Sequence, residues 1–431
     1  MKKVLKLLIA GLLYMIMLPV QAQDTLVLSL DSAVSYALQH NKTLVNSKYA
    51  IDKTQQQYKE TVAKGLPQVD ASMDYNNFLG ATASLEINPH APPAVIEFNP
   101  TSSLKAGVNQ LLFSGNYWVG LKLAKLAKKM SEEKYQKDEL DVKEQTIQSY
   151  FTILASKQIL QTLRENKKNA EIIYNQTENM AKAGLIEQTD AEKLSVMVTS
   201  VDNAVKSAER NLELAYNLLR FNLGLPGNQP LKLSDNLAKV EARLNIDLSS
   251  PFKIQNNVDY RLLSIQGEMA KKNIDMAKSN YLPTLVGFYS YTKKLIKPKF
   301  DMSPEHILGV KLSVPIFSSG DRKAKLNQAK IDLNINENTK ALLTDRLTLQ
   351  EKQLRYNYNN LVEQYLSQKE NVKIAKNVLD QMNLKFQQGL VSSLDLTSAN
   401  NDYLKAEIDF VTTKMKLLQA QLALRKLNNN L

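Results

Sequence analysis

The spacing of apolar residues changes abruptly at Pro67. From residue 31 to residue 64 apolar side chains recur every three or four positions, as on one face of an α-helix, and Asp31 stands at the predicted N-cap. Pro67 ends this segment because proline cannot continue a helix. From about residue 67 to residue 83 apolar and polar residues alternate, which predicts a strand with one apolar face.

The same succession of patterns occurs a second time along the chain. Leu66-Pro67 corresponds to Leu282-Pro283 at a separation of 216 residues, and Gly184 corresponds to Gly389 at a separation of 205 residues. The separation changes because the loop between the strands differs in length. Two copies of one pattern predict an internal duplication.

Each copy is predicted to contain one helix, two strands and a long helical hairpin. The first copy, residues 23–222, has these elements at 31–64, about 67–83, about 104–114 and 116–222. The second copy, residues 251–431, has them at 251–280, about 283–293, about 307–317 and 320–427. Residues 223–250 are predicted to form a linker or a small equatorial girdle. The predicted structural turns around the strands are Pro67, Pro283, Gly115 and Gly320.

The hairpins have the pattern of coiled coils. Residues 116–183 contain no proline and a single glycine, which predicts an unbroken helix on the order of 100 Å long. On the return arms apolar residues recur every seven positions, at Ala191, Val198, Val205, Leu212 and Leu219 and at Leu396, Tyr403, Phe410, Leu417 and Leu424. A seven-residue repeat keeps one stripe against a neighbouring helix as the pair supercoils.

The four predicted strands have the length of tilted strands that cross a membrane, about ten residues each. Four strands cannot close a membrane barrel, because the smallest barrels have about eight and open edges are not tolerated in lipid. The chain is therefore predicted to share a barrel with copies of itself. Two copies give eight strands with a filled interior, whereas three give twelve and a water-filled lumen, so transport favours three.

The first residues predict a signal peptide. Lys2, Lys3 and Lys6 precede an apolar run that ends at Val20-Gln21-Ala22, so residues 1–22 are predicted to be cleaved and the mature chain to start at Gln23. The alternative is a transmembrane anchor, which needs an apolar run of about 20 residues.

Composition removes several classes of function. The chain has no cysteine, and thus no disulfide, thiol nucleophile or lipid-accepting thiol. Its net charge of +12 is compatible with binding to nucleic acid. The lysines are spread along polar helical segments, however, so we expect them to lie on solvated helix faces and expect no nucleic acid partner.

No catalytic constellation is present. The chain lacks Gly-x-Ser-x-Gly and His-Glu-x-x-His, and the segment Gly115 to Gly120 does not continue as a phosphate-binding loop. His40, His90 and His306 are far apart in sequence. We therefore expect no enzyme activity, no metal and no cofactor.

The duplicated plan resembles the TolC family of outer-membrane efflux proteins over residues 23–431. The similarity rests on the Leu66-Pro67 and Leu282-Pro283 turns, the Phe-Ser-Gly and Phe-Ser-Ser-Gly exits from the strands, and the glycine-centred hairpin tips. It implies a mixed α and β fold. Four strands per subunit would enter an outer-membrane β-barrel shared by a homotrimer and continuous with a long α-helical coiled-coil barrel.

The resemblance also implies location and partners. The protein would lie in the outer membrane of a Gram-negative bacterium, in contact with its lipid, and extend into the periplasm. It would be the exit duct of a tripartite efflux or type I secretion system. Its partners would be a periplasmic adaptor (membrane fusion) protein and an inner-membrane efflux pump or ABC transporter.

The family places acidic residues of the periplasmic gate shortly after a tip glycine. Asp395 follows Gly389 by six residues, Ser398 stands where a second aspartate is common, and Asp190 follows Gly184 by six. By resemblance these residues form or brace the gate, with Asp395 attracting cations. The alternative for each aspartate is a solvated acid in the first turn of a helix.

The hairpin tips pair a turn-forming glycine with apolar residues. These residues are Gly184, Leu185 and Ile186 in the first copy and Gly389, Leu390 and Val391 in the second. Docking to the adaptor would bury the apolar side chains. Two other functions remain open. A non-transporting periplasmic or cell-surface coiled coil would explain the heptads but not the strands, and a periplasmic hydrolase would need a nucleophile that the chain lacks.

Overall fold

The computed structural model describes residues 25–85, 94–239, 251–297 and 302–431. The predicted signal peptide lies outside these residues, as does part of the predicted linker. The chain divides into two compact units. The strand unit comprises Asn46–Lys137 and Lys253–Thr348, and the remainder, which holds the far parts of both hairpins, is the hairpin unit.

Seven helices and eight strands are named below in chain order. The helices are α1 (Leu30–His40), α2 (Lys42–Ala63), α3 (Gly115–Lys182), α4 (Gln188–Leu223), α5 (Val258–Ser279), α6 (Asp321–Gln387) and α7 (Ser393–Leu427). The strands are β1 (Leu26–Leu28), β2 (Gln68–Asn76), β3 (Thr82–Leu85), β4 (Ala94–Glu97), β5 (Thr101–Ser114), β6 (Leu231–Leu233), β7 (Thr284–Ile296) and β8 (His306–Ser313).

The strand unit contains a four-stranded antiparallel sheet in the order β2-β5-β7-β8. Residues paired across neighbouring strands point to the same face. One row across all four strands consists of Val69, Val108, Tyr289 and Leu308. The adjacent row on the other face consists of Asp70, Gly107, Ser290 and Ile307.

The predicted single helix 31–64 is wrong, because two helices meet at Asn41. Asn41 has extended backbone, and its side-chain oxygen accepts hydrogen bonds from the backbone N–H groups of Thr43 at 2.8 Å and Leu44 at 3.4 Å. This side chain caps α2 and so interrupts the helical path. The cap of α1 is Ser29, whose hydroxyl accepts from the N–H of Ser32, and Asp31 lies in the first turn.

The predicted helix 251–280 also starts later than expected. A short 3₁₀ turn, Ile254–Asn256, precedes Asn257, whose side chain accepts from the N–H groups of Asp259 and Tyr260 and caps α5. Asn41 and Asn257 are 216 residues apart, so the duplicated chain uses the same side chain for the same cap.

The predicted strand 67–83 is divided into β2 and β3. Leu79 and Gly80 both have positive φ, and the side chain of Asn77 accepts from the N–H of Leu79, so a turn separates the strands. β3 then pairs with β4 rather than extending the main sheet. The strand predicted at 307–317 ends at Ser313, since Pro315 has no N–H to donate.

Gly115 is not a turn, contrary to prediction. β5 runs directly into α3 at this residue. An added Cβ at Gly115 would lie 2.8 Å from Leu282 and 2.9 Å from Ser279, so close approach explains the glycine. Gly320 does take a left-handed turn, with φ of 88°, before α6. Pro67 and Pro283 immediately precede β2 and β7.

The hairpin unit packs its helices through the seven-residue series. All ten residues of the two series are buried or half-buried. One cluster joins Leu160 and Leu163 of α3 to Val205 and Ala208 of α4. Another joins Tyr358 and Leu361 of α6 to Ala420 and Leu424 of α7.

A buried carboxylate ties the segment after α4 to the rest of this unit. β6 pairs in parallel with β1, and Asp235 follows directly. Asp235 accepts a hydrogen bond from the N–H of Leu30 at 2.8 Å, lies 3.2 Å from the buried hydroxyl of Tyr150, and pairs with Lys239 at 2.7 Å. Its side chain is only 1% exposed.

We expect Asp235→Asn to lower the free energy of unfolding by about 1–3 kcal/mol at pH 7, because a buried charge-assisted network loses its acceptor. Lys239 holds the pKa of Asp235 below its ordinary value. The stabilisation is therefore full above the unfolded pKa, about 3.9, and disappears as the pH falls through the folded-state pKa.

Thermal unfolding of wild type and variant between pH 7 and pH 3 measures this effect. The exposed Asp402→Asn on α7 is the matched control and should leave the midpoint unchanged. An equal midpoint for wild type and Asp235→Asn at pH 7 would show that the network contributes nothing.

Candidate gate at the hairpin tips

Both hairpin tips close with the same backbone motif. Gly184 has φ of 74° and Gly389 has φ of 71°. In the first tip the N–H of Leu185 donates to the carbonyl of Met180, and in the second the N–H of Leu390 donates to that of Lys385, each at 2.9 Å. This is a Schellman cap, which needs a residue that tolerates the left-handed region. The turn therefore explains both glycines.

The tips expose one leucine each. Leu185 is 70% exposed and Leu390 is 68% exposed, whereas Ile186 and Val391 are half-buried. In a Schellman cap the corresponding apolar side chain usually packs on the preceding helical turn. Here it faces outward, so each tip has an exposed apolar side chain.

Asp395 belongs to a capping box at the start of α7. The hydroxyl of Ser392 accepts from the N–H of Asp395 at 3.2 Å, and the Asp395 carboxylate accepts from the N–H and hydroxyl of Ser392 at 3.1 Å and 2.7 Å. The hydrogen bond from the Ser392 side chain, and then that from its backbone, lowers the pKa of Asp395. The carboxylate is exposed and stays charged at neutral pH.

The equivalent position in the first hairpin has different partners. Glu187 is the N-cap of α4 but makes no side-chain cap hydrogen bond. Asp190 instead lies 3.4 Å from Lys193. The sequence placed Asp190 and Asp395 at corresponding positions, and the structure distinguishes them, since Asp190 is partly neutralised and Asp395 is not.

Ser398 and Asp402 continue the stripe that begins at Asp395. They follow it by three and seven residues on α7, and all three side chains are exposed. Residues at this spacing lie on one helix face. The sequence analysis did not identify Asp402, because the family resemblance concerns only the positions six and nine residues after Gly389, although Asp402 follows Asp395 by seven residues.

All four hairpin helices contribute to a cluster next to this stripe. It contains Ile173 of α3, Leu194 of α4, Leu379 of α6 and Leu396 and Ala399 of α7. Leu396 is fully buried, so the residue after the exposed Asp395 anchors α7 to the other helices.

Two buried polar side chains lie close to the cluster in sequence. Thr177 and Asn400 are almost fully buried, and the Thr177 hydroxyl and the Asn400 amide nitrogen have no hydrogen-bond partner among the described residues. Each such atom costs about 1–3 kcal/mol.

The described residues show neither a metal site nor a membrane-spanning helix. Across residues 25–85, 94–239, 251–297 and 302–431, no group of three or more acidic, histidine or cysteine side chains is arranged to hold a metal ion. None of the helices there has a stretch long and apolar enough to cross a membrane.

Comparison with known proteins places the chain in a family. The family described as "Outer membrane efflux protein" matches residues 33–225 and 253–430. The outer membrane protein TolC of Vibrio cholerae is 24% identical over 374 residues, covering 82% of each chain. TolC of Escherichia coli is 21% identical over 376 residues, covering 84% of this chain and 74% of that protein.

Solved structures share the fold at low identity. CusC superposes with a TM-score of 0.77 and 17% identity, covering 93% of this chain and 91% of that one. VceC from Vibrio cholerae superposes with a TM-score of 0.73 and 14% identity, covering 93% and 96%. The duplicated strand-and-hairpin chain therefore has the fold of outer-membrane efflux channels.

The family match covers well over half of the chain, and the protein belongs to the outer membrane efflux protein family. This confirms the resemblance to TolC and the mixed α and β fold. The family consists of channels rather than enzymes. The closed barrel, the trimer and the roles of individual site residues stay predictions.

The role of the capping box can be tested by comparing equivalent positions of the two copies. Ser392→Ala should destabilise the first turn of α7 by about 1 kcal/mol, because it removes the cap and one hydrogen bond to Asp395. Glu187→Ala at the equivalent position should have little effect, since Glu187 does not cap α4.

Amide hydrogen exchange at the two helix starts reports the difference. Faster exchange at the start of α7 in Ser392→Ala, with no change at the start of α4 in Glu187→Ala, is the expected result. Equal effects at both helix starts would contradict the assignment.

Proposed function

We propose that this protein is the exit duct of a tripartite efflux or type I secretion system in a Gram-negative outer membrane, with its hairpins in the periplasm. The single observation that supports this most strongly is the two-faced sheet of the strand unit. Its unpaired edges and the acidic stripe near the tips support the remaining parts of the proposal.

One face of the sheet is suited to lipid. Val69 is 75% exposed, Val310 is 69% exposed and Leu308 is 83% exposed, and the register places them on the same face. Large apolar side chains in a contiguous exposed patch need a partner. The hydrocarbon of a bilayer satisfies all of them at once.

The opposite face is suited to water. Asp70, Asp74 and Lys105 share this face, with an ion pair of 2.9 Å between Lys105 and Asp74. The side chain of Asn109 donates to Asp70 at 3.3 Å. Strands of membrane barrels alternate in this way between lipid and lumen.

The edges of the sheet support an oligomer. β2 and β8 each pair on one side only in the described chain. Unpaired strand edges cannot remain open in lipid, so β8 of one subunit would pair with β2 of the next. A homotrimer would close twelve strands around a lumen.

The hairpin tips are the proposed periplasmic gate and docking site. Three copies would bring three Asp395 carboxylates together, with Ser398 and Asp402 behind them and Asp190 bracing the neighbouring hairpin. Clustered carboxylates attract cations. Leu185 and Leu390 would dock to a periplasmic adaptor, which links the duct to an inner-membrane pump or ABC transporter.

Planar-bilayer recording tests the duct and the gate together. The wild-type protein should form discrete channels that prefer cations, and Asp395→Asn should weaken that preference and the block by divalent cations. The hydrogen bonds from Ser392 lower the pKa of Asp395, so the carboxylate is charged at pH 7, and the cation preference should fade in acid as the carboxylate gains a proton.

The exposed Asp52→Asn in α2 is the control and should leave the cation preference unchanged. Absence of channels from wild type and from Asp395→Asn alike would refute the duct and favour a non-transporting coiled coil. Channels with the same cation preference in wild type and Asp395→Asn would refute the gate role of Asp395 and leave the duct unaffected.

Adjacent residues of β8 test the assignment of the two faces. Val310→Arg puts a charge on the proposed lipid face and should abolish a heat-sensitive oligomer on gels, because an arginine facing lipid costs up to about 2–4 kcal/mol at the bilayer midplane. Lys311→Asp, on the opposite face, should leave the oligomer intact.

Loss of the oligomer in both variants, or in neither, would contradict the assignment of faces. Circular dichroism of each variant checks that the hairpins remain helical, so that a loss of assembly is not mistaken for unfolding.

A further inference from the structure

The outer side of α4 carries an exposed apolar stripe. Leu214, Leu218 and Phe221 are four and seven residues apart, which places them on one side of the helix. The other side is turned inward, since Leu219 and Leu223 are fully buried and α4 packs on α3. Phe221 is 76% exposed, so the described chain leaves this stripe uncovered.

The outer side of α6 carries a second exposed stripe within the hairpin unit. Leu349 and Tyr356 are exposed and seven residues apart, which is the spacing of a coiled-coil seam. Tyr358 and Leu361 lie on the opposite side of the helix, where they pack on α7. Tyr356 is 74% exposed. Each of the two helices therefore uses one side within the chain and leaves the other side bare.

Contacts within the hairpin unit fix the relative height of the two stripes along the hairpins. The amide of Asn222, which follows the stripe of α4, donates to the hydroxyl of Ser149 on α3 at 2.7 Å. Lys426 of α7 pairs with Glu144 of α3, five residues before Ser149. Because α3 and α7 are antiparallel, Ser149 lies level with the residue five positions before Lys426, which is Gln421.

Gln421 in turn contacts α6. Its amide donates to the hydroxyl of Tyr358 at 3.2 Å, and Tyr356 is two residues from that contact. Phe221 is one residue from Asn222. Phe221 and Tyr356 therefore lie within about one helical turn, roughly 5 Å, of the same height. In this series of contacts α4 and α6 are the two outer helices, and their bare sides are turned away from α3 and from α7.

Opposite charges continue the two stripes toward the tips. Arg210 lies eleven residues from Phe221 on the same side of α4, and Glu370 lies fourteen residues from Tyr356 on the same side of α6. Both side chains are exposed, and Glu370 lies 3.6 Å from Lys373. The helix rise converts these separations to about 17 Å and about 21 Å, a difference that long side chains can span. The two stripes therefore match in apolar residues and in charge.

This match selects a second copy of the chain as the partner. α4 runs away from its tip and α6 runs toward its tip, so α4 of one copy and α6 of the next would be antiparallel, like neighbouring helices within the chain. A contact between two different surfaces repeats head to tail and can close into a ring. A lipid or an unrelated helix would not account for stripes that match at one height.

We propose that α4 of one copy packs against α6 of the next, with Phe221 beside Tyr356 and Arg210 near Glu370. This inference rests on the homotrimer of the proposed function and deepens it, because it gives the helices a contact between copies that is separate from the pairing of β8 with β2. Side-chain burial would join the copies along the helices, whereas backbone hydrogen bonds would join them in the sheet.

Disulfide cross-linking of the full-length protein tests the contact, because the chain contains no cysteine. Phe221→Cys and Tyr356→Cys combined in one chain should give covalent dimers and trimers after oxidation in a nonionic detergent, seen on denaturing gels without reductant. A disulfide requires the two Cα atoms to lie within about 7 Å. Each single variant should run as a monomer, since head-to-tail packing does not bring a residue beside its own counterpart.

The pair Phe221→Cys and Asn357→Cys is the matched control. Asn357 is exposed and adjacent to Tyr356, but it lies about 100° around the helix. This pair should cross-link about tenfold more slowly, because its Cβ atoms point apart. Equal rates in the two pairs would overturn the proposal. Cross-linking of either single variant would also overturn it, because the contact would then be symmetric.

A charged variant tests the contact without depending on its exact register. Phe221→Asp should raise the fraction of monomer in detergent about tenfold, because the contact would bury a carboxylate without a partner. Asn357→Asp should leave that fraction unchanged. If the Phe221 and Tyr356 pair does not cross-link, an intact oligomer in Phe221→Asp would overturn the contact. Dissociation of Phe221→Asp would then keep the contact and reject the pairing of these two residues.

The result can be separated from that of the proposed function. Channel recordings of the unoxidised double-cysteine protein report the duct independently of cross-linking. Discrete channels without specific cross-linking, and with an intact oligomer in Phe221→Asp, would reject the helix contact and keep the duct. Specific cross-linking in a protein that forms no channels would reject the duct and keep the contact between copies. A strictly monomeric protein would reject both.

Discussion

Backbone hydrogen bonding at the edges of the main sheet is the constraint on which the rest of the structure depends. β5 and β7 are paired on both sides, whereas β2 and β8 each retain a row of N–H and C=O groups without a strand partner in the described chain. The apolar face of the same sheet has no cover from the chain's own helices, as the exposure of Leu308 shows. Both deficits would be removed together if several copies closed a barrel in a membrane, as proposed above.

The two copies share the same local interactions, although their elements and loops differ in length. Asn41 and Asn257 cap equivalent helices with the same pairs of N–H groups, and Gly184 and Gly389 close equivalent tips with the same backbone bonds. The copies differ at exposed positions, because Ser392 and Asp395 cap a helix in the second copy and the equivalent pair in the first copy does not. The two copies thus share the same helix caps and tip turns and differ in their exposed residues.

Periodicity predicted the long hairpins and the amphipathic strands, because burial on one face leaves a repeat that is visible in one dimension. It missed the breaks at Asn41, Asn257 and Leu79, where a short side chain or a left-handed residue redirects the backbone within two or three residues. Gly115 was predicted to be a turn from the Phe-Ser-Gly sequence at the end of the strand, whereas the close approach of Leu282, distant in sequence, explains the glycine. The lysines were interpreted as solvated faces, and only the packing of α3 against α5 brings Lys122, Lys125 and Lys129 close to Lys271 and Lys272.

The direct join of β5 to α3 has a mechanical consequence. With no loop residue between them, rotation of α3 about its axis would turn β5 as well, and β5 is held by ladders on both sides. The end of α3 that joins β5 is thus held in place by the sheet. Any bending or untwisting of α3 would therefore fall on the part of the helix farther from β5.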